Sequence, residues 1–235
     1  MSPNDSRIEL TGLPGIPEVT LTDALVATLP QNLAAAPWTC ECSAVLWLGR
    51  GGRAAAAVLP PALQGSSALG TVGGFVHYTD TPVGPYDEVL GAVGSRSGVR
   101  PWGNIALMAV DSPTSLVGGR TNWAMPKTLA RFDGTPAAGR TVTAVGDDGL
   151  AWSVTATARS LGPAVPVRAK TTARQQFSDG RIGESVLTFS GKVRPALVTV
   201  RVASEGTLAQ WLTSGRRIGA VIDRAGFTLT PPRFA

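Results

Sequence analysis

The chain has 235 residues, is 43% hydrophobic and carries a formal net charge of +5. That length and apolar content suffice to bury a substantial core, and a single domain over residues 1–235 is expected. No run approaches the roughly 20 apolar residues of a membrane helix, and the first 23 residues hold neither a basic nor an apolar leader region. These readings predict a soluble, cytoplasmic protein with no membrane partner. The positive balance would suit a nucleic-acid partner, but the arginines are scattered, with only Arg216 and Arg217 adjacent. No aromatic-interleaved basic stretch accompanies them, so nucleic-acid binding is excluded from the expectations.

In chain order, short β-branched runs alternate with Gly and Pro punctuation, which argues for many short strands rather than a helical bundle. Residues 21–29 form a candidate helix ended by Pro30. Strand 44–48 follows, then an Ala-rich helix over 53–59 stopped by Pro60 and Pro61. A strand closes on Gly74, Phe75, Val76, His77 and Tyr78, and a turn-rich stretch over 79–85 leads to Tyr86, Asp87, Glu88 and Val89. Strand 104–110 ends in a turn over 111–114. Further strands are read at 140–145, 151–158, 184–189, 193–202 and 226–230, with period-2 alternation plainest from Ala151 to Thr157. A helix over 205–213 lies between the last two, with Ser204 as its cap and Gly215 as its stop. The proline-rich ends, 13–17 and 231–232, read as extended tails over the surface or against a neighbouring subunit.

Cys40 and Cys42 are one residue apart in a strand, where both side chains point the same way without disulfide geometry, and read as reduced. With His77 the only histidine, no metal is expected. Gly-rich segments around Gly49 to Gly52 and Gly91 to Gly94 lack the spacing of a phosphate cradle and read as loops. His77 itself reads as a hydrogen-bonded strand residue rather than a general base.

Lys127 is one of only three lysines against eighteen arginines. It lies in the stretch Gly119-Arg120-Thr121-Asn122-Trp123-Ala124-Met125-Pro126-Lys127, and its near neighbours Trp123, Met125, Pro126 and Leu129 are apolar. Desolvation disfavours an ammonium relative to a neutral amine, and a neutral lysine can attack a carbonyl to form an iminium, an electron sink for breaking an adjacent bond. By itself such a lysine is more often a surface residue reaching water past an apolar stem.

The order of features around it resembles the acetoacetate decarboxylase superfamily. Tyr86-x-Glu88, a strand, an aspartate turn at Asp111 and a Gly-Arg-x5-Pro-Lys segment at Gly119 to Lys127 stand in the family's sequence. The resemblance covers about residues 44–132. It implies a mainly β (α+β) fold, an antiparallel β-cone or barrel with a few short helices, assembled as a homo-oligomer. It also implies a small oxo-acid substrate and a cofactor-independent carbon–carbon lyase, in which the iminium supplies the electron sink. Lys127 falls on the family's Schiff-base lysine and Glu88 on its active-site glutamate. Arg120 falls on the arginine of the Gly-Arg pair, either binding a substrate carboxylate or holding the lysine segment through an ion pair. Tyr86, Trp102, Trp123 and Met125 are expected to contact substrate, or else to fill the core. Glu88 has the alternative of a structural ion pair with Arg120. The chain departs from the decarboxylase pattern at Thr121 and Thr128, where the family has an acid and a second lysine. It also lacks an arginine near 40–48, and Gly73 and Gly74 stand where a second acid belongs. Decarboxylation, aldol or dehydratase chemistry, and a non-catalytic ligand-binding protein on the same fold all stay open.

Overall fold

The computed structural model describes residues 10–234, so the outermost ends of the expected domain lie outside the described residues. Its eleven strands are β1 (Trp38–Arg50), β2 (Gly70–Asp80), β3 (Tyr86–Ser97), β4 (Arg100–Val110), β5 (Lys127–Asp133), β6 (Thr141–Gly146), β7 (Trp152–Ser160), β8 (Val165–Gln176), β9 (Ile182–Ser204), β10 (Gly215–Leu229) and β11 (Arg233–Phe234). The helices are short: α1 (Asp23–Thr28), α2 (Arg53–Ala57), α3 (Pro113–Trp123) and α4 (Leu208–Trp211), with 3₁₀ turns at Pro17–Val19 and Pro61–Leu63. The mainly β class read from the sequence is the one observed. No helix among the described residues is long and apolar enough to cross a membrane.

The strands follow one another from β10 through β1 to β7 and on to β9, and β9 pairs back onto β10, closing a ring. Two neighbour pairs, β4–β5 and β4–β8, are parallel, so the sheet is mixed rather than purely antiparallel. It is not a regular barrel either, because β9 changes partner along its length. Residues 182–193 pair with β8, residues 196–204 with β7, and β10 accompanies both halves. Pro195 falls where the partner changes; having no N–H, it would cost a central ladder a hydrogen bond, and here neither β7 nor β8 is registered to it. The two strands expected at 184–189 and 193–202 are therefore one strand of 23 residues.

Strands β1 to β3 are largely buried on both faces along their middles, which is why 44–47 reads as an unbroken apolar run rather than an alternating one; Leu48, which extends it, is exposed. Val45, Trp47, Phe75, Val89 and Val93 face a core completed by Val154, Val198 and Val200. The alternate residues Cys40, Cys42, Ala44, Val76, Tyr78 and Tyr86 face a second cluster, against Ile222, Ala225 and Leu229 of β10. Cys40 and Cys42 are both free and buried.

Four local expectations are corrected or qualified. Gly91 to Gly94 are not a loop but the middle of β3, paired with β2. Residues 13–17 run over the surface, with Gly15 and Pro17 exposed, but are anchored by Ile16, which is buried in the first core. Ser204 does not cap α4. Its hydroxyl donates to Glu18, and a Glu18 carboxylate oxygen accepts the Leu208 N–H at 2.5 Å, so the cap comes from the distant N-terminal segment. Gly215 opens β10 instead of closing the helix, whose last turn ends at Leu212.

Helix α3 was not anticipated. Its sequence, Pro-Thr-Ser-Leu-Val-Gly-Gly-Arg-Thr-Asn-Trp, combines two glycines with β-branched residues of weak helical propensity, and residues 115–120 are all buried, so no amphipathic stripe marks it. The available signal was Ser112-Pro113: the Ser112 hydroxyl accepts the Ser115 N–H at 3.2 Å, and Pro113 occupies the first helical position. The helix serves as the crossover that parallel strands require, here between β4 and β5.

Candidate active site

Sheet register brings Lys127 and Glu88 together across β4. Glu88 on β3 pairs with Val110, and Lys127, the first residue of β5, pairs with Met108. Lys127 Nζ lies 3.0 Å from Glu88 Oε2, and the two are 3% and 1% exposed. Nζ also donates to Ser115 Oγ, at 2.9 Å, from the first turn of α3. The other Glu88 oxygen, Oε1, accepts the Tyr78 hydroxyl at 3.1 Å. The Tyr86 ring packs below the amine, 5.1 Å from Nζ to its centroid, and stacks on Tyr78 at 4.4 Å. Burial first, then the Glu88 charge, push both tyrosine hydroxyls well above their ordinary value. Tyr78 therefore remains a proton-bearing donor to the carboxylate at all ordinary pH.

The end of α3 aims the lysine. Ala124 closes the helix in the left-handed region, φ 53°, unusual for a residue with a Cβ, and its N–H and that of Met125 bond back to Arg120 and Gly119. Two residues later the chain enters β5. Gly119 lies so close to the lysine stem that a Cβ there would come within 2.5 Å of Lys127 Cδ. Gly118 admits the ring of Trp38 in the same manner.

Arg120 is placed differently from a substrate clamp. Its guanidinium is 3% exposed and donates to three backbone carbonyls: Nε to Lys127 at 2.6 Å, Nη1 to Leu10 at 2.6 Å and Nη2 to Val19 at 2.5 Å. It does not line the cavity, nor does it pair with Glu88. Burial lowers its pKa from the ordinary 12.5 to about 10, so it is still charged near neutrality. Its geometry ties the N-terminal segment to the backbone of the lysine.

The amine opens onto a cavity of about 420 Å³ enclosed by β1 to β4 on one side and β8 to β10 on the other. Tyr86, Trp102, Trp123 and Met125 all line it, as do both cysteines. His77 does not: it is hydrogen-bonded to Asp87, Nδ1 to Oδ1 at 2.8 Å. Among the described residues no cluster of His, Cys, Asp and Glu could hold a metal. Tyr78 and Ser115 escaped sequence reasoning. Tyr78 was legible in principle, two residues from Val76 on the face that Glu88 shares, whereas Ser115 depended on the unanticipated helix.

A lysine and a carboxylate held at hydrogen-bond distance inside an apolar cavity can exchange a proton without solvent, leaving an amine free to add to a carbonyl. Fold and sequence agree on the protein's kinship. The family profile for acetoacetate decarboxylase matches residues 50–233, and the chain belongs to that family. Among solved structures, an acetoacetate decarboxylase is similar at 13% identity with a TM-score of 0.66, over 92% of this chain and 98% of its own. An acetoacetate decarboxylase-like enzyme from Sphingomonas wittichii RW1 is similar at 14% identity and a TM-score of 0.66, over 86% and 94%. The enduracididine biosynthesis enzyme MppR, complexed with pyruvate, is similar at 16% identity and a TM-score of 0.61, over 86% and 91%. No individual curated protein matches the sequence.

Proposed function

We propose that the protein is a Schiff-base-forming lyase acting on an oxo acid, with Lys127 as nucleophile and Glu88 as its proton acceptor and donor. The observation that carries this reading is the buried Lys127–Glu88 pair, 3.0 Å apart at the wall of an apolar cavity. A surface lysine needs no such burial, and taking two charges out of water is costly enough that such a pair is weak evidence of a purely stabilising role.

In this mechanism Glu88 takes a proton from Lys127, and the freed amine adds to the substrate carbonyl. Glu88 returns the proton to the carbinolamine oxygen, which leaves as water and yields the iminium. Ser115 orients the nitrogen and Tyr78 fixes the carboxylate. In a 3-oxo acid the bond to the carboxylate then breaks, its electron pair flows to the iminium nitrogen, CO2 departs, and the enamine is protonated and hydrolysed to a ketone. If the substrate instead loses a proton from the carbon beside the iminium, the same enamine adds to an aldehyde, giving an aldol adduct or, after loss of water, its dehydrated form. Family membership supports the first route, and the pyruvate complex of MppR makes 2-oxo acids a natural part of the test.

The test is borohydride trapping with acetoacetate and pyruvate, read by intact mass and peptide mapping on the wild type and on Lys127→Met. A reduced adduct on Lys127, absent from the variant, is the expected result. Folded wild-type protein that traps neither of these nor any longer-chain or aryl 3-oxo acid would remove Lys127 as nucleophile and leave a ligand-binding protein on the same fold.

A further inference from the structure

We infer that the carbonyl compound taken by this site carries an extended apolar body, an alkyl chain or aryl group, running from Lys127 along β3 towards Ala92 and Gly94. The inference rests on the imine reading of Lys127 and adds the substrate class to it. It begins with charge. Among the described residues that line the cavity, only Lys127 and Glu88 are ionic, and they are paired with each other. Arg120, the nearest candidate for a carboxylate clamp, is turned to three backbone carbonyls. Arg174, at the far end, sits 5.3 Å from the ring of Trp102 but is already held by Glu184 and Ser97. No cation is left free among the lining residues for a second anionic group on the substrate.

Shape points the same way. Glu88, Leu90, Ala92 and Gly94 are alternate residues of β3 and all line the cavity, so it follows that strand for six residues, roughly 20 Å at about 3.3 Å per residue. Beyond the ion pair the walls are Val72, Leu90, Ile105, Leu187 and Phe189. The end near Lys127 is closed by buried Trp38, Tyr86 and Trp123, whereas Pro101 and Thr171 at the other end are exposed. β8, which carries Thr171, shares one backbone pairing with β4, Gly103 with Ala173, and beyond it Asn104 and Gln175 pin the strands together, so the opening lies on the near side of that pair, between Pro101 and Thr171. A substrate entering by this route reaches the lysine with its carbonyl foremost and its tail lying between apolar strands. The volume of 420 Å³ falls within the roughly 300–1,000 Å³ of sites for drug-sized ligands. A small oxo acid would leave most of it as water against hydrocarbon.

The experiment measures the half-saturating concentration for borohydride-trapped adduct on Lys127 across pyruvate, acetoacetate, 3-oxohexanoate, 3-oxooctanoate, 3-oxodecanoate and benzoylacetate. In parallel, tryptophan fluorescence titrates the corresponding methyl ketones against Lys127→Met. Each added methylene should lower the half-saturating concentration by up to about fourfold, the equivalent of about 0.8 kcal/mol per buried CH2, until the cavity is filled. Ala92→Phe, which narrows the channel between the wall of β1 to β4 and that of β8 to β10, should erase that gain for the longest members. Short acids that trap as well as or better than long ones overturn the inference while leaving Lys127 as nucleophile. The outcome with no adduct from any compound, yet tighter fluorescence binding of the longer ketones, removes the imine chemistry but upholds the ligand class. Neither adduct nor chain-length dependence overturns both.

Discussion

A methyl group added to Gly119 would stand 2.5 Å from Cδ and 2.6 Å from Cε of Lys127, distances that real Cβ atoms do not tolerate. Since Arg120 holds the Lys127 carbonyl in place, the side chain rather than the backbone must yield. Gly119→Ala is therefore expected to cost about 1–3 kcal/mol of stability as overpacking and to slow imine formation about 100-fold, because a displacement near 1 Å at a reacting atom is that damaging. Urea unfolding and the rate of trapping on Lys127 measure the two effects separately. The cysteines at the same wall give a pH prediction. Burial first, and Glu88 next, push the Cys40 and Cys42 thiols from the ordinary 9.0 to about 12. Between those values unfolded chains release the thiol protons and folded chains keep them, so their contribution is fully present below about pH 9 and declines as pH rises towards 12. Tyr78 and Tyr86 act with the same sign but begin near 10, and Arg120, lowered to about 10, acts with the opposite sign above that. The window from about pH 9 to 10 thus isolates the thiols. There the urea midpoint of the wild type should fall, and that of the Cys40→Ala, Cys42→Ala double variant should stay flatter.

At the scale of elements, two short helices owe their positions to charged side chains in the core. α3 is tied at its far end by Arg120, which joins three separate stretches of backbone through carbonyls that would otherwise be buried without donors. α4, only four residues long, lacks a capping side chain of its own and takes Glu18 from a segment 190 positions away. Glu18→Ala leaves the Leu208 N–H and the Ser204 hydroxyl without their acceptor in the interior. It should cost about 2 kcal/mol, read as a Tm fall of roughly 4–8 °C for a chain of this size. Sequence reasoning placed a helix near α4 because 205–213 carries local helical residues, but it assigned the cap to Ser204, the nearest side chain of suitable type. A cap supplied from across the fold leaves no mark at the helix itself. For α3 the reverse holds: the capping signal at Ser112-Pro113 is local and visible, whereas the propensity of Gly118 and Gly119 argues against a helix that tertiary packing then imposes.

At the scale of the whole molecule, β9 and β10 run through both halves of the ring, so neither core can open without breaking the ladder that bounds the other. Trp38 and Trp123 report on the cluster beside the cavity, and Trp47, Trp152 and Trp211 on the opposite core. Equilibrium unfolding should accordingly be one transition, with far-UV circular dichroism and tryptophan fluorescence superimposable; two separated midpoints would show that the halves fold as independent units. The same sharing explains the site's construction. β4 is common to the sheet that carries Glu88 and the crossover that delivers Lys127, so the pair is fixed by strand register rather than by a loop.

Residue order alone carried the mainly β class, the paired cysteines of one strand face, and the conjunction of Tyr86, Glu88 and Lys127 with a Gly-Arg-x5-Pro-Lys segment. Those features are local: strand period, turn residues and motif spacing are written into consecutive positions. Tertiary structure alone decided that Glu88 faces Lys127 rather than Arg120, that Arg120 turns from the cavity to three carbonyls, and that Tyr78 and Ser115 complete the pair. It also decided that the two strands read around Pro195 are one. Each of these depends on which strands become neighbours and in what register. A shift of one residue in that register would turn Glu88 to the other face of β3, and no stretch of sequence contains that information by itself.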